Sequence, residues 1–223
     1  ALLAILGLWA PFIAKELLEM PTDYSYSADI ISYDNLYDAA SQQYTGKTQS
    51  QTTFNYTTVR TEGTTNIINA VFDVRSQEGE PIFSVTREYA VNQESYQHVP
   101  GYGDENRTGY LFGTSGYNKD NFTYWHINYD QPLTMIFQNE ENILGLNTYH
   151  YKANFTADQT ANLASLQDVG TTKGINLDGT IDLWIEPYTG ELIDYQDGAT
   201  AYYYDLATGE RLSPWNQFSN QIF

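Results

Sequence analysis

Cysteine is absent from this 223-residue chain, which excludes disulfides, zinc–thiolate centres and thiol nucleophiles together. Basic residues are also scarce. Lys and Arg total 10 against 28 Asp and Glu, so the net charge of -18 arises more from missing cations than from surplus acid. A surface without lysine stripes repels phosphate backbones and anionic headgroups, and nucleic acid is therefore not expected as a partner. With charged residues at only 17%, below the usual quarter, the polar surface has to come largely from Asn, Gln, Thr, Ser and 20 tyrosines. Long apolar runs are missing too, with one exception at the start.

That exception is residues 1–14, ALLAILGLWAPFIA, which carry no charge. Lys15, Glu16 and Glu19 then alternate with Leu17, Leu18 and Met20 until Pro21, where the missing amide stops a helix. The pattern predicts an apolar helix over residues 1–20, with Leu2, Leu3, Ile5, Leu6, Leu8, Trp9, Phe12 and Ile13 as its anchoring side chains. A bilayer crossing takes roughly 20 apolar residues, so the run either belongs to a membrane helix or packs on protein, in the core of a repeating assembly of identical subunits or as a buried helix of the globular domain itself. A secretory signal fits poorly, because no basic segment precedes the run and no small-residue cleavage site follows it. The acidic sequence that follows favours an extracytoplasmic side, since cytoplasmic flanks are enriched in Lys and Arg.

From Asp23 onward the texture changes to period-two alternation and β-forming residues, which predicts a single antiparallel β-rich domain over residues 21–223. Strands are expected at 24–31, 51–60, 66–74 and 82–91, with Glu62-Gly63 and Glu78-Gly79 as turns. Others are expected at 110–112, 122–129, 133–138, 144–155, 176–186 and 199–205. Two short helices are expected as well: one over 34–43 with Asp34 as its cap, one over 156–166 from the Thr156/Gln159 capping pair. Five glycines between His98 and Asn118 suit a long loop. Asp197-Gly198 reads as a two-residue hairpin turn. Two further turns echo each other, Pro187-Tyr-Thr-Gly190 and Leu206-Ala-Thr-Gly209, each after a strand that ends in an acidic residue.

Chemistry-bearing motifs are sparse. His98, His126 and His150 are the only histidines, and the last two fall on strands that could be neighbours. Two histidines with a carboxylate could hold zinc, but no close His-x-His or His-x-x-x-His pair supports it. Asn176-Leu-Asp178-Gly179-Thr180-Ile-Asp182 with Glu186 has oxygen spacing reminiscent of a calcium loop. Its glycine stands fourth where an EF-hand needs it sixth, so an Asp-Gly turn is the simpler expectation. Calcium there, or at Gly101-Tyr-Gly-Asp-Glu105, is the cofactor to consider if there is one; otherwise none is expected. Asp/Glu pairs for glycoside hydrolysis are not singled out, and no Gly-x-Ser-x-Gly elbow, phosphate loop or dinucleotide fingerprint occurs. No catalytic or metal-ligating residue is assigned. Asn-x-Thr sequons stand at Asn55, Asn106, Asn121 and Asn154, candidate glycosylation sites on exposed faces.

Several longer stretches carry a resemblance: Leu183-Trp-Ile-Glu-Pro-Tyr-Thr-Gly190, Tyr202-Tyr-Tyr-Asp205 with Thr208-Gly-Glu, Leu111-Phe-Gly-Thr-Ser115, Tyr124-Trp-His-Ile-Asn-Tyr129 and Gly145-Leu-Asn-Thr-Tyr-His-Tyr151. With the apolar run leading into Leu18-Glu-Met-Pro-Thr-Asp23, they make the chain similar to the PorA-like (porin PorA) family of archaeal and actinobacterial envelope proteins. The resemblance implies a membrane helix followed by an extracytoplasmic β domain, often with a second helix after it, and it brings no catalytic residues. A pore does not follow from the family name, because a pore barrel alternates apolar-out with polar-in over strands of about ten residues, and several stretches here are amide-rich.

These observations predict a non-enzymatic cell-surface protein, membrane-associated through residues 1–20 or built through them into a homo-oligomeric structural assembly such as a filament, with glycans as possible attachments. The alternative is the ligand-sensing ectodomain of a membrane-anchored receptor or sensor kinase, a context in which similar domains occur. A hydrolase would need two carboxylates facing each other across a cleft.

Overall fold

The computed structural model describes residues 19–102, 106–116, 118–164 and 169–222. The apolar run with its eight anchoring side chains lies outside them, as does the helix expected there. Among the described residues eleven strands form one antiparallel sheet: β1 (Ser25–Asp38), β2 (Gln43–Tyr44), β3 (Thr48–Glu62), β4 (Thr65–Ser76), β5 (Pro81–Asn92), β6 (Phe122–His126), β7 (Gln131–Ile143), β8 (Leu146–Asp158), β9 (Lys173–Ile185), β10 (Leu192–Asp205) and β11 (Arg211–Ile222). Their order is β5-β4-β3-β1-β11-β10-β9-β8-β7-β6, with the short β2 paired to β1. Two meanders are thus joined where β1 meets β11, Ile30 opposite Ile222 and Leu36 opposite Asn216.

Alternation decides which face turns inward. Along β3, Thr52, Phe54 and Tyr56 are buried while Gln51, Asn55 and Thr57 are exposed; along β8, Tyr151, Ala153 and Phe155 are buried while Asn154 and Thr156 are exposed. One apolar face favours one concave core, and the sheet curls into a half-barrel around it. The curl brings Phe54 of β3 onto Tyr195 of β10, ring centroids 5.1 Å apart. Tyr56, Tyr89, Tyr124, Tyr151 and Tyr195 are among the largest fully buried side chains, so the tyrosines supply core as well as surface.

The open side is spanned by residues 93–102, 106–116 and 118–121. Val99 N–H donates to Ala90 O of β5, His98 N–H to Gly109 O, Leu111 N–H to Tyr96 O, and Tyr110 N–H to Thr123 O of β6. This strap links the two sheet edges through backbone hydrogen bonds and covers rows that would otherwise be unpaired. Gly109 is needed for it. Its φ is +83°, and a Cβ there would meet Thr123 O at 2.2 Å. Leu111 and Phe112 point inward from the strap, Phe112 against Tyr56 at 5.2 Å.

Several expectations are corrected. Residues 34–38 continue β1 instead of starting a helix, because Asp34 to Leu36 pair with β11 and the Asp34 carboxylate accepts from Asn216 Nδ2 at 2.7 Å. Asp38, not Asp34, organises the turn that follows, accepting from Ala40 N and Ser41 Oγ. The second helix is replaced by the end of β8 and turns over 160–164: Thr156 and Ala157 pair with Asp178 and Leu177, and residues 165–168 lie outside the described set. Asp197-Gly198 and Asp178-Gly179 are not turns either. They sit in the middle of β10 and β9, offset along the pair, with Asp197-Gly198 opposite Ile181-Thr180 and Asp178-Gly179 opposite Thr200-Ala199. Gly179 leaves room for the Phe155 ring, whose Cζ would lie 2.6 Å from a Cβ there, an aromatic filling the space that a strand glycine leaves. The strand expected over 144–155 begins only at Leu146, after a turn at Leu144 and Gly145.

Candidate functional site

The two echoing turns have the expected build and share one design. Glu186 accepts from Tyr188 N, Thr189 N and Thr189 Oγ1, and Gly190 N–H returns to Glu186 O at 2.9 Å. Asp205 accepts from Ala207 N and Thr208 N at 2.8 Å, and Gly209 N–H returns to Asp205 O at 2.8 Å. The acid before each turn is thus consumed locally, holding amides that a tight turn leaves unpaired. The burial-raised carboxyl of Glu191 accepts from Tyr24 Oη at 3.1 Å.

The chain enters the domain close by. Met20 is buried and its N–H donates to Gln93 O at 2.8 Å, while Asn66 Nδ2 donates to Pro21 O at 2.7 Å. Met20 to Tyr24 are therefore fixed at the end of the half-barrel that carries the β3–β4 and β9–β10 turns. All four sequon asparagines, Asn55, Asn106, Asn121 and Asn154, are exposed. Thr57 Oγ1 donates to Asn55 Oδ1 at 3.1 Å, and Asn121 Oδ1 accepts from Phe137 N at 3.2 Å.

One polar cluster lies inside the core. His126 Nδ1 faces the amides of Asn128 and Tyr129 at 3.2 and 3.3 Å, which assigns it the lone pair and leaves Nε2 to donate to Tyr195 Oη at 2.9 Å. Tyr195 and Tyr129 hydroxyls donate to Asp197, the latter at 3.2 Å. Asn220 Nδ2 donates to Asp197 Oδ1 at 2.6 Å, its Oδ1 accepts from Ser32 Oγ, and Thr52 Oγ1 donates to Ser32 Oγ at 2.6 Å. Burial pushes the Asp197 carboxyl up to about 6, against its hydrogen bonds, and burial pushes the His126 imidazole down to about 3. The set resembles a proton relay, yet His126 and Tyr195 have no exposed surface and Asp197 only 4%. A sealed chain cannot touch a substrate; it ties β1, β3, β6, β10 and β11 to one register. Its members are far apart in sequence, and only the buried-looking aromatic run around His126 hinted at any of it.

A second cluster sits where the strap meets β5. Asp130 accepts from Trp125 Nε1 at 2.8 Å and Arg107 Nε at 3.3 Å, with Arg87 Nε at 3.6 Å. Arg107 also donates to Glu88 O at 3.0 Å and lies over the Tyr89 ring. His98 stands edge-on to Tyr89 at 4.9 Å with neither ring nitrogen hydrogen-bonded. Burial first, then Arg107, pushes its imidazole down to about 3.

His150 is on the opposite, convex face from His126. It stacks on Trp184 at 4.6 Å and bonds Asp182 Oδ1 at 2.7 Å, while Lys152 Nζ reaches the same carboxylate at 2.9 Å. The two histidines are thus separated by the sheet itself, which disposes of a shared zinc site. Among the described residues no cluster of three His, Asp or Glu side chains is spaced for a metal ion. Asp178 and Asp182 lie on outward positions of β9, Asp178 bonded to Thr156 and Arg211, and are not gathered into a calcium loop. Gly101 to Glu105 falls partly outside the described residues.

A half-barrel with an aromatic, strap-sealed interior and a polar outer face defines the class of protein. The chain belongs to the Porin PorA family, whose pattern matches residues 1–213. No curated protein matches it. Among solved structures, a LolA superfamily protein from Nitrosomonas europaea aligns with 96% of this chain and 89% of its own at 9% identity and a TM-score of 0.20, too low an agreement to bear on function.

Proposed function

We propose that this is a non-enzymatic envelope protein, held by residues 1–20 in a membrane or in the core of a repeating assembly, with the half-barrel standing outside as a water-facing domain. The observation that carries the proposal is the polarity of the strands. Apolar side chains point to the packed interior and Gln, Asn, Thr and Asp point out, the reverse of a lipid-facing barrel with an aqueous lumen. A pore through the half-barrel is therefore not part of the proposal, despite the family's title. The only segment left with membrane-grade apolarity is the N-terminal run, which the family match includes.

The test is the physical state of the intact chain. It should float with neutral lipid vesicles, or scatter light as a large homo-oligomer when no detergent is present. A monodisperse, monomeric species that ignores vesicles would overturn the proposal.

A further inference from the structure

The β7–β8 hairpin is built against two local rules at once. Its pairing continues past the last β8–β9 rung, Tyr149 opposite Ile185, through Thr148, Asn147 and Leu146, so the tip projects roughly 10 Å at about 3.4 Å per residue. The turn joins Ile143 to Leu146 through Leu144 at φ 51° and Gly145 at φ 89°. Two positive φ values in succession define the turn that normally takes Asn-Gly. Leucine is a poor choice there, because its Cβ crowds the following carbonyl. It is also a poor choice for water. Leu144 is 92% exposed and Leu146 48%.

An exposed, bulky residue in a left-handed conformation points to function when something outside the fold compensates for it. The position of the tip says what. Trp184 Nε1 bonds Glu141 Oε2 at 2.9 Å, which fixes the hairpin beside the end of β9; the 186–190 turn follows, and Tyr188 on it is 41% exposed. Glu191 then bonds Tyr24, four residues beyond Met20. The apolar tip and the entry of the apolar run are thus at one end of the half-barrel.

We propose that Leu144 and Leu146 dip into the same lipid surface that holds residues 1–14, so that the half-barrel rests on the bilayer by this end. This rests on the membrane form of the function proposed above. Glu140 and Glu141 flank the tip and the chain carries -18 overall, so the surface is an electrically neutral one. Opposite, Leu36, Ile82, Leu206 and Leu212 are 40–60% exposed, but none of them stands in a left-handed turn, Leu206 sits in the acid-bonded turn at Asp205, and among the described residues no apolar segment enters there.

Because the chain has no cysteine, single-site labelling is direct. Full-length Leu144→Cys, Leu146→Cys and Leu206→Cys proteins carry an environment-sensitive fluorophore in phosphatidylcholine vesicles. Flotation reports the anchoring separately. In floated protein, labels at 144 and 146 should be quenched several-fold more by a lipid-borne nitroxide than by aqueous iodide, and the label at 206 the reverse. Adding Leu144→Asn, which suits the turn and keeps the fold, should cut nitroxide quenching at 146 while flotation persists. Floated protein with all three labels iodide-accessible overturns the lipid contact alone. So does a tip label already shielded from iodide before vesicles are added, since protein would then cover it. Failure to float overturns the membrane anchoring itself.

Discussion

Acidification should act on this fold through its two buried histidines, His98 and His126, and the share carried by His98 can be worked out. The side chain is 5% exposed, neither nitrogen has a partner, and burial with Arg107 holds its imidazole at about 3 against an ordinary 6.5. The facing charges are Arg107 and Asp130, the first opposing protonation and the second favouring it less. A folded value below the unfolded one means that the native state keeps the neutral ring. The contribution is present in full above about 6.5 and is lost as pH falls toward 3. Between pH 7 and pH 5 the loss spans about 1.5 units below 6.5, or about 2 kcal/mol at 1.36 kcal/mol per unit. His98→Phe removes the titrating group and keeps an edge-on aromatic against Tyr89. Urea unfolding of both proteins at pH 7 and pH 5 gives the difference of differences, in which the other titrating groups cancel. The variant should lose about 2 kcal/mol less than the parent over this interval. Equal losses would refute the claim that this histidine is held neutral by burial.

Other perturbations follow from the packing. Tyr195→Phe leaves the His126 Nε2 donor unpaired and takes one hydrogen bond from Asp197, which should cost about 1–3 kcal/mol in chemical denaturation. Asp197 titrates in the opposite sense to His98: its carboxyl is raised to about 6, so its contribution is complete below the unfolded carboxyl value and is lost as pH rises through 6. Asp197→Asn should flatten that part of the stability profile. Gly179→Ala places a methyl 2.6 Å from Phe155 Cζ and 2.8 Å from Gly198 O and should destabilise by about 1–3 kcal/mol; Gly198→Ala, whose nearest contact is 3.3 Å, should cost less. Leu144→Asn should raise stability in lipid-free buffer by about 0.5–1 kcal/mol, since it matches the left-handed turn.

Where local pattern and long-range pairing agreed, the strands were legible in the letters. The runs at 51–60, 66–74 and 82–91 alternate cleanly and fall within β3, β4 and β5, and the acid–turn–glycine loops at 186–190 and 205–209 are local hydrogen-bond devices that sequence displays directly. The failures share a cause. Asp197-Gly198 and Asp178-Gly179 have turn chemistry, but each lies between residues with partners on both sides, and pairing outweighs a two-residue preference. Thr156 has a capping-box neighbour, yet its hydroxyl goes to Asp178 on the next strand. The Asp197 network was invisible for a related reason, since Ser32, Thr52, His126 and Asn220 meet only after the sheet has curled.

Strand order has a further consequence for how the molecule is made. Among the described residues β1 is the first strand in chain order, and it sits between β3 and the last of them, β11. The β1–β3–β4–β5 meander can form early, but one flank of β1 then waits until Arg211–Ile222 has emerged, with its hydrogen-bonding edge open to any other strand. Such late, distant pairing slows folding and lengthens the period of vulnerability to misassembly. Without β11 nothing would join β1 to β10, and the two meanders could not close into one sheet.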